Sequence, residues 1–326
     1  MLRLVFILAG LLLVLGLNHA VGTSLAAETP STVTDLSQLL EPGKHTVSLR
    51  IDGYDRKIIV ITPKGFEPGR PLPIVFFFHG AGGTAEQAVR TYGWAEKADA
   101  EHFFAAFPQG LGARHDGAGV FHIWRDERGE RPMDIDDVHF FEVMLDQLQA
   151  ALPIDPRRVY VTGFSNGAGM TFALGAHFSD RIAAIAPVSS QSFAHVDALG
   201  RPLPVYYLTG TADPLIPYDG GATKLPTLPF GPGYQYPPVQ DSVDAWVRLD
   251  GCPTEPQVVS DANGVRVLRY GPGQDESEIL FTTIEGNGHH WPDTVEPLPH
   301  VICGPTLDPF NATDRIWDFF VRHPLR

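Results

Sequence analysis

The sequence is poor in cysteine, in basic charge and in long apolar runs. Each shortage removes a class of protein. Two cysteines in 326 residues, Cys252 and Cys303, cannot build a thiolate metal centre, which takes about four ligands. Lys and Arg total 24 against 38 Asp and Glu, for a formal charge of −14. A protein this acidic repels phosphate backbones, so nucleic acid is excluded as an expected partner. Beyond the N-terminus no apolar run is long enough to span a bilayer, which needs about 20 residues. No internal repeat and no second domain can be read along the chain. Methionine and tryptophan are also scarce, at 4 and 5, whereas glycine and proline reach 33 and 29, which implies many loops.

The N-terminus is the exception in hydropathy. Arg3 precedes an apolar run from Leu4 to Leu17, and Ser24 and Ala26 occupy the small-residue places of a cleavage site. This reads as a signal peptide over residues 1–26, removed on export. The mature protein is then expected to be secreted or periplasmic, with no stable membrane association. Residues 27–44 are polar and without period, a tether holding one short helix at Leu36 to Leu40. In an exported chain an even cysteine count suggests one Cys252–Cys303 disulfide. It would close a loop of about 50 residues, worth on the order of 4 kcal/mol; two buried free thiols are the other reading.

From His45 short apolar runs recur: Val47 to Ile51, Lys57 to Thr62, Pro73 to Phe78, Phe103 to Phe107, Arg158 to Thr162, Ile182 to Pro187, Leu203 to Thr209 and Ile279 to Ile284. Their length and flanking turn residues mark strands, and continuous apolarity marks strands covered on both faces. The first two read as an antiparallel entry. Between them lie helical patterns. Val138, Phe141, Leu145, Leu148 and Leu152 recur at three- and four-residue steps, with Asp136 and Asp137 as caps and Pro153 as the stop. Asn166 to Phe178, Val239 to Leu249 and Thr313 to Arg322 are further helices. The alternation implies one doubly wound α/β domain over residues 45–326, with a mostly parallel central sheet and helices on both faces.

Gly163-Phe164-Ser165-Asn166-Gly167 follows a strand and opens a helix. That context makes it a nucleophile elbow, the mark of an α/β-hydrolase, rather than a five-letter coincidence. A serine on so sharp a turn needs glycine neighbours, and its hydroxyl projects above the sheet. The Asn166 N–H, at the helix N-terminus, then points to where an oxyanion forms. The hydroxyl needs a base. His289 and His290, just after the strand ending at Ile284, both qualify by position. An acid should lie between serine and histidine in the chain, after a strand: Asp213 does. A second oxyanion donor is expected from the glycine-rich His79-Gly80-Ala81-Gly82-Gly83, with the N–H of Ala81 the candidate. His79 itself reads as structural. The Asp219 to Pro238 stretch, with five prolines, four glycines and Phe230, Tyr234 and Tyr236, has no period and reads as a functional loop.

Taken together, HGAGG, GFSNGAGM, GTADPLIPY and GNGHHWP resemble the secreted esterases classed with polyhydroxybutyrate depolymerases and feruloyl or acetylxylan esterases. The resemblance runs from about His45 to His323. It implies Ser165 as nucleophile, Asp213 as acid and, through GxGHxWP, His289 rather than His290 as base. It also matches Ala81 to the oxyanion loop. Trp124 and the Ile135 to Phe140 segment match a further family segment loosely, where Asp137 reads as structural. His290 departs from the pattern, in a variable place. HHWPD has no spaced third and fourth ligand, so no metal is expected, and the triad chemistry requires no cofactor. Trp291, Tyr218 and Trp124 are candidates to line the substrate cleft. The expected partner is a small-molecule or polysaccharide-linked ester, with feruloyl or acetyl esters of plant polysaccharide ranked before short hydroxyalkanoate esters. A non-catalytic binding protein on the same fold is the reading from another class.

Overall fold

In the computed structural model, residues 35–114, 117–127, 135–194, 196–223, 234–296 and 298–326 are described. The signal-peptide and cleavage-site readings, residues 27–34 of the tether and Phe230 lie outside them. The chain enters through a 3-10 turn at Leu36–Leu40, started where the Asp35 carboxylate accepts from Ser37 N at 2.9 Å. Strands β1 (Gly43–Ile51) and β2 (Tyr54–Thr62) pair antiparallel. Then come β3 (Leu72–Phe78), α1 (Ala85–Thr91), α2 (Trp94–Glu101), β4 (Phe104–Pro108) and the two-residue strands β5 (Leu111–Gly112) and β6 (His122–Ile123). The middle of the chain gives α3 (Asp137–Ala151), β7 (Ile154–Phe164), α4 (Asn166–His177), β8 (Ala184–Val188) and β9 (Val205–Gly210). Short β10 (Gly221–Ala222) and β11 (Gln235–Tyr236) precede α5 (Val239–Leu249), β12 (Gln257–Ala262), β13 (Val265–Tyr270) and β14 (Ile279–Ile284). The helices α6 (His300–Cys303) and α7 (Ala312–Phe320) close the fold.

Ten strands form one sheet in the order β1-β2-β4-β3-β7-β8-β9-β14-β13-β12. The strands from β4 to β14 in that order run parallel, with antiparallel partners at each edge. The reason lies in β3. All seven of its residues are apolar and buried. Successive side chains point to opposite faces. Ile74, Phe76 and Phe78 enter one core with Phe141 of α3, Phe172 of α4 and Trp246 of α5. Val75 and Phe77 enter the other with Val89 of α1, Ala98 of α2 and Phe320 of α7. Helices therefore cover both faces, as the apolar runs implied.

Register then collects the chemistry. Phe78 pairs with Gly163, Phe164 with Val188, and Gly210 with Ile284. The carboxyl ends of β3, β7, β8, β9 and β14 thus line up along one edge. The loops leaving them carry Gly80 and Ala81, Ser165, Asp213 and His289. That edge is where open parallel sheets place their ligands.

Two corrections follow. The expected disulfide is absent: Cys252 and Cys303 are both free and buried. They lie beyond opposite ends of β14. Cys252 Sγ is 4.0 Å from Ser277 O, before the strand, while Cys303 O accepts from His289 N after it. Six residues of strand separate those points by about 20 Å, well over the ~7 Å limit between bridged Cα atoms. The sequence reading also lacked the β12–β13 hairpin. Every residue of β12 is exposed, so no apolar alternation marks it. The turn signal was there: Asn263 and Gly264 both adopt positive φ, +55° and +73°, as a tight hairpin turn requires.

Candidate active site

Phe164 ends β7 and Asn166 starts α4, leaving one residue to reverse the chain. Ser165 does so at φ +56° and ψ −123°, a region an L-residue enters at a cost of about 1–3 kcal/mol. Surrounding packing holds it there. Ser165 N donates to Val188 O at 2.9 Å, and Ser165 O accepts from Ala168 N and Gly169 N. A Cβ on Gly163 would fall 2.4 Å from Gly167 O, and one on Gly167 would fall 2.0 Å from Phe78 O. Both positions therefore exclude any side chain, and the GxSxG spacing is a packing requirement of this turn.

Asp213 and His289 meet from loops 76 residues apart in the chain. His289 Nδ1 donates to Asp213 Oδ2 at 2.7 Å, with both side chains almost fully buried. The other carboxylate oxygen accepts from Leu215 N and Ile216 N, each at 2.8 Å. The carboxylate is thus locked by three donors. The proton on Nδ1 leaves Nε2 as the unprotonated nitrogen. The ring stacks obliquely on Phe164, centroids 4.8 Å apart, and lines the same cavity as Ser165. His290 is differently engaged. Its Nε2 donates to Gly304 O at 2.9 Å, and burial lowers its pKa. The geometry therefore separates the two histidines: one faces a carboxylate and the cavity, the other pins a loop.

The loop after β3 lies against the serine. A Cβ on Gly80 would come 3.3 Å from Ser165 Cβ. Among the described residues, neither Ala81 N–H nor Asn166 N–H enters a backbone hydrogen bond. His79 shapes this loop. Nδ1 donates to Gly80 O at 2.8 Å, and Nε2 accepts from Gly110 N at 3.0 Å. Burial pushes its pKa down to about 4, so it stays neutral and this bonding pattern persists near neutral pH.

Ser165, His289 and Ala81 share a cavity of about 340 Å³. Its walls are mainly apolar and aromatic, including Tyr92, Phe121, Phe164, Ile216 and Tyr236. The three aromatic candidates lie elsewhere. Trp124 is fully buried behind the site; it donates Nε1 to His79 O at 2.9 Å and stacks on Phe140. The Asn166 side chain clamps its backbone, accepting from Trp124 N at 2.7 Å and donating to Trp124 O at 3.0 Å. Trp291 packs on Phe77 and Tyr92, one layer behind the wall. Tyr218 packs, half-buried, against the core. Of the aromatics in the Pro/Gly-rich stretch, Tyr236 reaches the cavity, and Tyr234 packs on it and on Phe193. Asp137 forms a buried ion pair with Arg56 at 2.5 Å and accepts from Arg125 N. Sequence reasoning missed Tyr92 and Phe121 as lining residues. Neither sits in a motif.

Comparison with known proteins adds the following. No family model matches the chain. It is 31% identical over 265 residues to NocK of Nocardia uniformis subsp. tsuyamanensis, which carries an esterase name, covering 78% of this chain and 74% of that one. It is 28% identical over 239 residues to feruloyl esterase B of Piromyces equi. That match covers 72% of this chain and 42% of the relative, so the chain spans under half of that protein. Among solved structures, an acetyl xylan esterase from Aspergillus awamori superposes with a TM-score of 0.56 at 15% identity, over 85% of this chain and 99% of that one. At that identity the likeness is one of fold.

Proposed function

The chain belongs to the α/β-hydrolase esterase family related to feruloyl and acetylxylan esterases and polyhydroxybutyrate depolymerases, and from that premise we propose that it is a serine carboxylic-ester hydrolase acting through an acyl-enzyme. The observation that carries this reading is the pairing of a strained Ser165 with a buried Asp213–His289 hydrogen bond around one cavity.

His289 Nε2 takes the Ser165 proton as Oγ attacks the ester carbonyl. Asp213 keeps the imidazole in the required tautomer and stabilises the imidazolium. The N–H groups of Ala81 and Asn166 receive the oxyanion. His289 then protonates the departing alcohol, and water, activated by the same nitrogen, releases the acid. The substrates favoured are feruloyl or acetyl esters of plant polysaccharide. Support comes from the esterase relatives and from an aromatic-walled cavity. We place the enzyme outside the cytoplasm on the strength of the Leu4–Leu17 run. Among the described residues no helix is long and apolar enough to cross a membrane.

The test is turnover of 4-nitrophenyl acetate by wild type and Ser165→Ala. A loss of at least about 10³-fold is expected in the variant. Equal rates would refute the catalytic reading and favour a binding protein on this fold. Methyl ferulate, acetylated xylan and hydroxybutyrate oligomers, compared by kcat/KM, rank the substrates.

A further inference from the structure

The two proposed oxyanion donors stand on different strands. Ala81 N–H belongs to the loop after β3, and Asn166 N–H to the turn after β7. The first loop contains Gly80, Gly82 and Gly83, and glycine leaves a backbone conformationally free. A hole preorganised for charge needs both donors fixed before the reaction begins. Hydrogen bonds do the fixing. Gly80 O accepts from Gly83 N at 3.0 Å and from His79 Nδ1 at 2.8 Å. A trans peptide is planar, with its N–H opposite its C=O, so pinning Gly80 O aims the Ala81 N–H the other way. One peptide earlier, His79 O accepts from the Trp124 indole Nε1 at 2.9 Å. Gly82 N donates to His122 O at 2.7 Å. The loop is therefore moored twice to the His122–Trp124 segment.

That segment is moored in turn to the other donor. Asn166 Oδ1 accepts from Trp124 N at 2.7 Å, and Asn166 Nδ2 donates to Trp124 O at 3.0 Å and to Asp126 Oδ2 at 2.9 Å. Asn166, Trp124 and Asp126 are all buried. One end of the amide accepts and the other donates, so only an amide fits here; an aspartate would set its second oxygen against two acceptors. The turn at Ser165 asks nothing of this side chain. It needs glycine at positions 163 and 167, and at position 166 only a backbone N–H. A buried amide bonded to three groups, between the two halves of one site, is more than the start of α4 requires.

We infer that the Asn166 side chain is a positioning residue: through Trp124 it couples its own N–H to that of Ala81, and so sets the spacing of the oxyanion hole. This inference rests on the serine-esterase function proposed above. An ester carbonyl in the ground state uses such a hole less than the tetrahedral oxyanion does. Loosening the coupling should therefore lower kcat and leave KM unchanged. The chain of bonds from Asn166 to Gly80 includes neither Asp213 nor His289, so the midpoint of the pH–rate profile should stay where it is. A side chain that served stability alone would lower the melting temperature without this split.

The experiment follows 4-nitrophenyl acetate hydrolysis by Asn166→Ala, Trp124→Phe and the double variant, per folded molecule as measured by circular dichroism. Asn166→Ala keeps its backbone N–H but cuts the tie, and should lose about 10²-fold in kcat. Trp124→Phe keeps a ring in the core and cuts the bond to His79 O; a loss of about tenfold is expected, since one donor is loosened rather than two. The double variant should lose no more than Asn166→Ala alone, because both changes cut one chain. Phenylboronic acid, which forms a tetrahedral adduct on a serine, should bind each variant more weakly by the same factor as kcat falls. A folded Asn166→Ala enzyme with wild-type kcat, a kcat loss without the matching loss of boronate affinity, or losses that multiply in the double variant would overturn the inference. Should Asn166→Ala not fold, Trp124→Phe decides: an unchanged kcat overturns the inference, and a loss at constant KM with matching boronate affinity supports it. Absence of turnover by wild type on every ester would overturn the esterase reading and this inference with it, whereas an active wild type beside an unaffected Asn166→Ala overturns this inference alone.

Discussion

Replacing Asp213 by Asn should do more than remove a charge; it should invert the hydrogen bonding of His289, the proposed base. In the wild type one carboxylate oxygen accepts from Leu215 N and Ile216 N, and the other accepts from His289 Nδ1. An asparagine has only one acceptor oxygen. The two fixed backbone donors claim it, since turning the amide over would aim NH₂ at two N–H groups and strand all three. The side-chain NH₂ must then face His289. The imidazole can meet it only by making Nδ1 the acceptor, which puts the proton on Nε2. Nε2 can no longer take a proton from Ser165. Loss of this tautomer elsewhere lowers kcat by about 10⁴-fold, or roughly 5.5 kcal/mol of barrier. The same size of loss is expected here, with little change in KM for a small ester. The assay is steady-state hydrolysis of 4-nitrophenyl acetate near pH 7.5, with a thermal melt to verify folding. A well-folded Asp213→Asn enzyme within tenfold of the wild-type kcat would refute the assignment of Asp213 as the orienting acid.

Three further outcomes are expected. His289→Ala should lose at least about 10³-fold in kcat, while His290→Ala, which frees Gly304 O and removes a buried ring from against His300, should stay within about tenfold and melt earlier; the reverse order in the same assay would exchange their roles. Asp137→Ala strands the Arg56 guanidinium, 2% exposed against the Phe140 ring, and should cost about 3–5 kcal/mol in urea unfolding; a loss under 1 kcal/mol would contradict a buried pair. Asp250 has one oxygen on Leu203 N and the other buried without a partner, and burial pushes its pKa up to about 7. The folded state therefore holds this proton more tightly than the unfolded chain, so the group's contribution is lost as pH rises from about 4 to 7, by up to about 4 kcal/mol. Asp250→Asn should accordingly melt higher than wild type at pH 8 and lose most of that advantage by pH 4.5; a constant difference across that range would sink the reasoning.

Much of the fold was legible because burial on two faces leaves a strong mark. The run Leu72–Phe78 has no polar residue to place in solvent, so it could belong only to the middle of a covered sheet. The elbow was legible for a similar reason: Gly163 and Gly167 are forced by backbone atoms a few residues or one strand away. Where burial is one-sided or absent, the mark fades. Strand β12 is wholly exposed, and α1 and α2 are too short to establish a period. The aromatic candidates show the opposite difficulty. Trp124 and Trp291 stand inside the expected motifs, yet both serve the core, Trp124 by holding the His79 carbonyl and Trp291 by backing Tyr92.

Sequence alone determined the parts that neighbouring residues impose on one another: the Gly-flanked turn at Ser165, the two-faced strands, and the order serine, aspartate, histidine. Position left two adjacent histidines open until the motif resemblance pointed to His289, and tertiary structure shows that one against Asp213; tertiary structure alone decided that Cys252 and Cys303 lie too far apart to bond, and that Tyr92 rather than Trp124, Trp291 or Tyr218 lines the cavity. The reason is physical. Backbone conformation and apolar period are set within a few residues, but a side chain's partners come from strand register. Register brought residues 76 positions apart to 2.7 Å, and no local pattern encodes that distance.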